Sequence, residues 1–263
     1  MLTVNTRSFR RYPIEQVLAI LHEVGIKQIE LDAAHLSHKS DENYQLAREV
    51  SSGYGIKIVG LSPDKQSSNG YDFHPYEAGK EEESIKFLQN NIRAASMLGA
   101  SFVCFSEGHA PAGVRVDEAW KRLVAVLRAG TALAEQEGVQ LVAEFQPQMF
   151  ASAVDDAPRL IDDVGSTGFA ACLDFAHAYT ITRGDPVSMI EALGERIGHV
   201  YLSDGTGQIG MHVPLGKGKV DFKACVEAIK KVGYEGYWSL NMDGYSFPEH
   251  ALKAAKKILG TLI

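Results

Sequence analysis

The sequence lacks any segment long and apolar enough to be read as a membrane span or a signal peptide. No run of about 18 apolar residues occurs, and the N-terminus has no basic stretch followed by an apolar one. These absences predict a cytoplasmic protein with no membrane partner. Cysteine is also scarce: Cys104, Cys172 and Cys225 are odd in number and widely spaced. We therefore expect buried free thiols and no disulfide framework.

A surplus of positive charge is missing as well. The chain has 26 Lys and Arg against 33 Asp and Glu, a net charge of -7, and its basic residues form no cluster. A protein that binds nucleic acid needs basic surface to displace counterions, so no nucleic-acid partner is expected. No Gly-x-Gly-x-x-Gly turn follows the first predicted strand, which argues against an open dinucleotide-binding sheet.

What the sequence does contain is a regular alternation of short Val- and Ile-rich runs with longer segments of helical period. Such alternation predicts βα units around a parallel sheet. Eight runs have strand character: 2–5, 28–32, 57–61, 101–105, a run ending at Glu144, a run ending at Asp174, 198–204 and 236–241. Eight helical segments follow them, and no linker or low-complexity segment interrupts the pattern. A length of 263 residues matches one (β/α)8 barrel. We therefore predict a single α/β domain over residues 1–263, a TIM barrel.

Two of the predicted strands end in a carboxylate. Leu141-Val142-Ala143 leads into Glu144, and Ala171-Cys172-Leu173 leads into Asp174. In a (β/α)8 barrel the C-terminal ends of the strands meet at one face, and catalytic residues come from several of them. A charge at a strand end is costly unless it is paired or used. Both acids are therefore predicted to belong to a site at that face.

With these motifs the chain resembles the xylose isomerase-like TIM barrels, the superfamily of sugar isomerases and epimerases that also contains the zinc-dependent apurinic endonucleases. The resemblance covers the whole chain. It rests on 141–144, 173–177, 199–204, 212–218 and 236–240. It implies a xylose isomerase-like barrel that acts on a small carbohydrate.

In the metal-dependent isomerases of this family, a divalent ion lies between Glu, Asp, His and Glu on strands five to eight. Glu144 and Asp174 match the first two positions, but Tyr201 and Asn241 stand where the family has His and Glu. A phenol and an amide are poorer ligands for such an ion. The resemblance thus implies a weakened site for Mn, Mg, Co or Zn, with Glu144, Asp174 and His212 as its ligands.

The remaining candidate residues follow from their positions at strand ends and in the loops after them. Glu144, His177 and Tyr201 are the predicted acid/base groups, although Tyr201 could instead fill the space of a lost metal. The predicted substrate contacts are His35, Glu107, His109, Gln146, Asp204 and Asn241. The glycine-rich loop after strand seven could cradle an anion, or it could be a flexible loop.

Three functions stay open at this stage. The first is an isomerase or epimerase that moves a proton on a ketose, keto-sugar or polyol derivative, with or without a divalent metal. The second is a metal-poor keto-sugar lyase or dehydratase that uses Glu144 with Tyr201 or His177. The third is a sugar-binding barrel without catalysis. Association into a homo-oligomer is compatible with each, and no sequence feature identifies an interface.

Overall fold

The computed structural model describes residues 1–36, 38–63, 73–110, 112–243, 245, 247–260 and 262. Its eight strands form one closed parallel barrel in the order in which they occur along the chain. They are β1 (Leu2–Asn5), β2 (Gln28–Asp32), β3 (Lys57–Ser62), β4 (Phe102–Phe105), β5 (Gln140–Glu144), β6 (Phe169–Asp174), β7 (Ile197–Leu202) and β8 (Trp238–Leu240). The barrel closes because β1 pairs with both β2 and β8. The predicted fold class is confirmed.

The described residues form nine α-helices on the outside of this barrel. They are α1 (Ile14–Glu23), α2 (Asp41–Gly53), α3 (Glu81–Leu98), α4 (Val116–Glu137), α5 (Asp156–Val164), α6 (Phe175–Ile181), α7 (Pro186–Leu193), α8 (Phe222–Lys231) and α9 (Pro248–Leu259). Short 3-10 helices cover Thr6–Phe9, Ala33–His35 and Gly194–Arg196. Within the described residues, no helix is both long and apolar enough to cross a membrane.

The additional helix is α6, which the sequence pattern did not separate from the strand before it. The chain leaves β6 at Asp174 and turns at once into α6, because the Asp174 carboxylate accepts a hydrogen bond from the backbone N–H of His177. A carboxylate in this N-cap position satisfies a helix N–H that otherwise has no partner. The cap therefore fixes both the end of the strand and the direction in which His177 leaves the barrel.

The barrel interior has an apolar floor beneath a polar mouth. Six buried side chains of neighbouring strands pack with Tyr201 inside the barrel: Val59, Phe102, Cys104, Val142, Ala170 and Cys172. Gly60 makes room for one of them, since a Cβ at this position would lie 2.1 Å from the Phe102 ring. The larger core lies between the outer faces of the strands and the helices. The three cysteines are buried and free, as predicted.

Candidate active site

The mouth of the barrel brings together polar side chains from β5, β6 and β7. Asp174 pairs in register with Tyr201, and Glu144 pairs with Cys172, so Glu144 lies two residues before the level of Asp174 in the pairing of β5 with β6. Glu144 is 3% exposed and Asp174 is 1% exposed. Two carboxylates buried to this degree on neighbouring strand ends need partners, which the loops after the strands supply.

One oxygen of Asp174 is fully used by the fold. Oδ1 accepts hydrogen bonds from the Ser203 hydroxyl at 2.6 Å and from the His177 backbone N–H at 2.8 Å. Burial on its own raises the pKa of Asp174, but the electrostatic interaction with His177 and His212 and these two hydrogen bonds outweigh it. The pKa of this carboxyl is therefore lowered below its ordinary value, and Asp174 is an anion at neutral pH.

The second oxygen of Asp174 lies in a cluster with two imidazoles. Oδ2 is 3.7 Å from His212 Nε2, and both atoms are buried without a hydrogen-bond partner among the described residues. Asp174, His177 and His212 each offer one ligand atom, and these three atoms lie within 4.8 Å of one another. The two imidazole rings are 5.0 Å apart. Orphaned buried donors and acceptors in this arrangement fit a divalent cation with mixed N and O ligands.

Glu144 lies beside this cluster and contacts one of its members. Its Oε2 accepts a hydrogen bond from Gln146 Nε2 at 2.5 Å, and its Oε1 is 3.6 Å from His177 Nε2. The predicted residues Glu144, Gln146, Asp174, His177 and His212 are therefore neighbours. The three possible metal ligands in the structure are Asp174, His177 and His212. The sequence had suggested Glu144 in the place of His177.

A second carboxylate network fills the barrel interior just below the mouth. Glu30 of β2 is fully buried, and its carboxylate accepts hydrogen bonds from Ser62, His199, Tyr201 and Ser239. Burial opposes ionisation of Glu30, but the hydrogen bond and charge of His199, with the hydroxyl donors, lower its pKa. The network thus holds a stable carboxylate in the middle of the barrel.

Tyr201 belongs to this interior network. Its hydroxyl donates to Glu30 at 2.5 Å and accepts from the Asn5 side-chain amide at 3.0 Å. Burial, together with the nearby Cys104 and Glu30, raises the pKa of Tyr201 well above its ordinary value, so the phenol stays protonated. Tyr201 is therefore a hydrogen-bonded aromatic inside the barrel, at the position where the family resemblance predicts an imidazole.

Asp204 anchors the loop after β7. Its Oδ1 accepts from the backbone N–H groups of Gly205 and Val220, and its Oδ2 accepts from those of Gly216 and Gly218. A Cβ on Gly218 would lie 2.0 Å from Asp204 Oδ1, so only glycine permits this approach. The anion that this glycine-rich loop cradles is thus the side chain of Asp204, which was predicted to contact substrate. The loop that Asp204 closes is the one that carries His212.

The other predicted contacts lie around the rim and bond to backbone. His35 Nε2 is 3.0 Å from the Thr6 carbonyl oxygen, and His109 Nδ1 is 2.8 Å from the Gln148 carbonyl oxygen.

Glu107 accepts from the Ala151 N–H at 3.1 Å. Asn241 Oδ1 accepts from the Asp243 N–H at 3.2 Å. These four side chains hold neighbouring loops in position, and Asn241, 4% exposed, stands at the end of β8.

Two polar clusters were not predicted from the sequence. One is the Glu30 network, and the other joins Arg7 and Arg10, which follow β1, to Asp32 at the end of β2. A signal was present, because Glu30 and Asp32 alternate with apolar residues in a strand that is otherwise buried. Alternate residues of a strand face one side, so both acids had to face the barrel interior.

Two sugar epimerases are similar to this chain over most of its length. Fructoselysine 3-epimerase of Shigella flexneri is 23% identical over 248 residues, which cover 90% of this chain and 88% of the relative. The solved structure of D-psicose 3-epimerase from Clostridium cellulolyticum H10 superposes with a TM-score of 0.82 at 13% identity, over 99% of this chain and 98% of the other.

Two further solved structures have the same fold. The probable 3-DHS dehydratase AsbF of Bacillus anthracis gives a TM-score of 0.77 at 19% identity, over 98% of each chain. The IOLI protein with a bound zinc atom gives 0.79 at 20% identity, over 99% of this chain and 97% of the other. The family described as xylose isomerase-like TIM barrel matches residues 18–262. This chain belongs to the xylose isomerase-like TIM barrel family.

Proposed function

We propose that this protein is an isomerase or epimerase that moves a proton between adjacent carbons of a ketose or keto-sugar. The observation that carries this proposal is the position of Glu144, 3.6 Å from His177 and beside the cluster of Asp174, His177 and His212. A base next to a cation site is the arrangement that such a proton transfer requires. The epimerases among its relatives support the reaction type.

Glu144 is the proposed base. It ends β5 at the mouth, and its carboxylate is buried. Gln146 donates to one of its oxygens and fixes the carboxylate plane, which leaves the other oxygen directed toward His177. Glu144 would take a proton from the carbon next to the substrate carbonyl and return it on the same face to the neighbouring carbon, while the proton of the adjacent hydroxyl passes to the former carbonyl oxygen.

Asp174, His177 and His212 would hold the divalent cation. When bound, the cation would stabilise the negative charge that develops on the substrate oxygens. The chain's own contribution is to fix the three ligands: Ser203 and the start of α6 orient Asp174, and the loop closed by Asp204 positions His212. Mn, Zn and Co accept this ligand set, whereas Mg prefers oxygen ligands alone.

A second function has a specific observation in its favour. Asn241 stands at the end of β8, where the epimerases of this family place a second glutamate, and an amide cannot transfer a proton. Glu144 and His177 are then the acid/base pair nearest to each other at the mouth. One base and one adjacent acid are sufficient for the elimination of water from a keto-sugar, in which Glu144 removes a proton and His177 protonates the leaving hydroxyl.

The experiment is proton exchange measured by NMR. Ketoses and keto-sugars are incubated with the protein and Mn or Zn in D2O, and loss of the proton next to the carbonyl is followed with the appearance of epimers. Wild type is expected to exchange this proton, and Glu144→Gln to be slower by about 10²-fold or more. Glu191→Gln is the matched control, because Glu191 is exposed and paired with Lys231 on the outer surface.

The outcomes separate the three functions. Exchange with epimer formation supports the isomerase, and an unsaturated product with loss of water supports the lyase instead. Binding of a sugar without exchange or elimination would leave only the sugar-binding barrel.

Metal binding is tested separately from turnover. After removal of metals with a chelator, titration with Mn or Zn is expected to raise the Tm of wild type, since a ligand that binds only the folded state stabilises it. Asp174→Asn is expected to abolish this rise. Asp162→Asn, which removes an exposed carboxylate bound to Arg196, is expected to retain it. Equal Tm shifts for the two variants would contradict the proposed cation site.

A further inference from the structure

Arg7 is a buried cation at the mouth of the barrel, on the side away from Glu144. It lies in the 3-10 helix that follows β1, and its backbone N–H donates to the Asn5 side chain, whose amide reaches the Tyr201 hydroxyl. The order of the eight strands places β1 opposite β5, so Arg7 stands across the mouth from Glu144. The guanidinium is 8% exposed.

The fold binds the Arg7 guanidinium through two of its nitrogen atoms and leaves the third nitrogen without a partner. Nε donates to Asp32 Oδ2 at 2.8 Å, and Nη2 is 3.4 Å from the Pro63 carbonyl oxygen. Nη1 has no hydrogen-bond partner in the part of the chain that the structure describes, and it is not among the fully buried polar atoms, so solvent or a ligand can reach it. Arg7 therefore offers N–H groups that the fold itself does not use.

The Asp32 carboxylate also accepts hydrogen bonds from donors other than Arg7. The same carboxylate accepts from Arg10 at 2.9 Å and from the Ala34 N–H at 2.9 Å. Burial opposes ionisation of Asp32, but the charges of Arg7 and Arg10 outweigh it and lower its pKa. Because Asp32 divides its oxygens among three donors, its contact with Arg7 is confined to Nε. The donors of Nη1 are therefore left for water or for an anion that enters the mouth.

The chemistry of the mouth favours a carboxylate as that anion. Related barrels bind phosphate in the loops after strands seven and eight. Here four backbone N–H groups of the β7 loop are taken by the Asp204 carboxylate. Arg7, by contrast, is a single planar fork; such a fork can bind two oxygens of a carboxylate or of a phosphate, and the carboxylate is the smaller of the two groups.

We propose that the substrate is a keto-sugar acid whose carboxylate binds Arg7 while its carbonyl end lies against Glu144. This inference rests on the proposed function for the carbonyl end, and it adds the substrate class. The interior of this barrel is filled by side chains, but its mouth is about as wide as the barrel, so a sugar-sized molecule that lies on the mouth can reach from the β1 side to the β5 side. Asp32 is then the positioning residue that keeps the Arg7 fork directed into the mouth.

The test compares three ligands that share one carbon skeleton: D-fructose, its 6-carboxylate and its 6-phosphate. Their equilibrium binding to the metal-loaded protein is measured by calorimetry. Wild type is expected to bind the carboxylate at least 10-fold more tightly than neutral D-fructose and more tightly than the phosphate. Arg7→Gln is expected to remove this preference, and Arg7→Lys to restore only part of it, because an ammonium keeps the charge without the fork.

Arg196→Gln is the matched control. Arg196 is also ion-paired, with Asp162, but it precedes β7 at the opposite end of the barrel, so it removes the same charge without touching the mouth. It is expected to keep the wild-type preference. The wild-type comparison needs no variant, so it holds even if Arg7→Gln does not fold.

Equal affinities for the three ligands, including no measurable binding of any of them, would overturn the inference. Tighter binding of the phosphate would overturn the assignment to a carboxylate. Failure of the proposed function has a different signature: the carboxylate binds through Arg7, yet Glu144→Gln and wild type show the same absence of proton exchange.

Discussion

Replacement of Asp204 by Asn tests how the mouth is held together. The carboxylate accepts four backbone N–H groups, three at 2.9 Å and one at 3.2 Å, from residues 205, 216, 218 and 220. Asn keeps one oxygen, so two of these N–H groups would face an amide NH2 group. A hydrogen bond to a charged acceptor is worth about 1.5–3 kcal/mol, which gives roughly 3–6 kcal/mol for two. Because the loop can open and recover part of this in water, we expect a loss of about 3 kcal/mol.

The free energy of unfolding from urea titration followed by circular dichroism measures this loss. Asp221→Asn is the matched control, since Asp221 caps α8 through the Ala224 N–H at 3.0 Å and Asn caps as well as Asp, so its change should stay below about 0.5 kcal/mol. Amide hydrogen exchange gives a local readout, with faster exchange expected at Gly216 and Gly218 in Asp204→Asn.

A change in Asp204→Asn as small as that of the control would refute the conclusion that Asp204 anchors the loop. The side chain would then be free to act as the substrate contact that the sequence suggested. Weaker binding of Mn or Zn by Asp204→Asn is expected in parallel, because the same loop carries His212.

Two further predictions concern the interior network and the ion pair. Tyr201→Phe removes a hydroxyl bound to Glu30 and Asn5 and is expected to lower the free energy of unfolding by about 1–3 kcal/mol. The rate of proton exchange should fall less than about 10-fold. A fall of about 10²-fold or more would instead assign Tyr201 a role as general acid. Asp32→Asn leaves Arg7 without its charged partner and is expected to lower the free energy of unfolding at pH 7 by about 3 kcal/mol. Because the folded-state pKa of Asp32 is lowered, its contribution is complete above the unfolded pKa of about 3.9 and is lost as pH falls through the folded value. In urea titrations at several pH values, wild type and variant should therefore begin to converge below about pH 4 and converge fully only below the folded pKa. A difference that stays constant down to pH 3 would contradict this assignment.

The sequence alone determined the barrel. Hydrophobic runs ending at Glu144 and Asp174, spaced by helical segments, are a local property of the chain, and eight such units leave few ways to bury their apolar faces. The family resemblance pointed to Glu144, Asp174 and His212 as metal ligands and to His177 as an acid/base group, and the structure brings Asp174, His177 and His212 together. The family's strand-end motifs then pointed to sugar chemistry, and the sugar epimerases among the relatives agree with it.

The helix α6 is where the sequence pattern did not suffice. The residues after Asp174 are apolar and could extend the strand, and only the hydrogen bond from His177 back to the Asp174 carboxylate ends it there. That bond depends on the φ and ψ angles at Asp174, which neighbouring β7 helps to fix through the Ser203 hydroxyl. Tertiary contacts around Asp174, and not the local amino-acid composition, decided where β6 ends.

Only the tertiary structure decided which polar residues share a partner. Arg7 and Asp32 are 25 positions apart, and Glu30 and Tyr201 are 171 apart, yet each pair is hydrogen-bonded inside the barrel. The pairing of β1 with β8 closes the barrel and brings the C-terminal ends of all eight strands to one mouth. No periodicity of the sequence encodes a contact between two residues on opposite sides of a barrel. The sequence therefore specified where each strand ends in a polar residue, and the closed barrel decided that Asp204 holds a loop, Tyr201 holds a carboxylate and Arg7 keeps donors for a ligand.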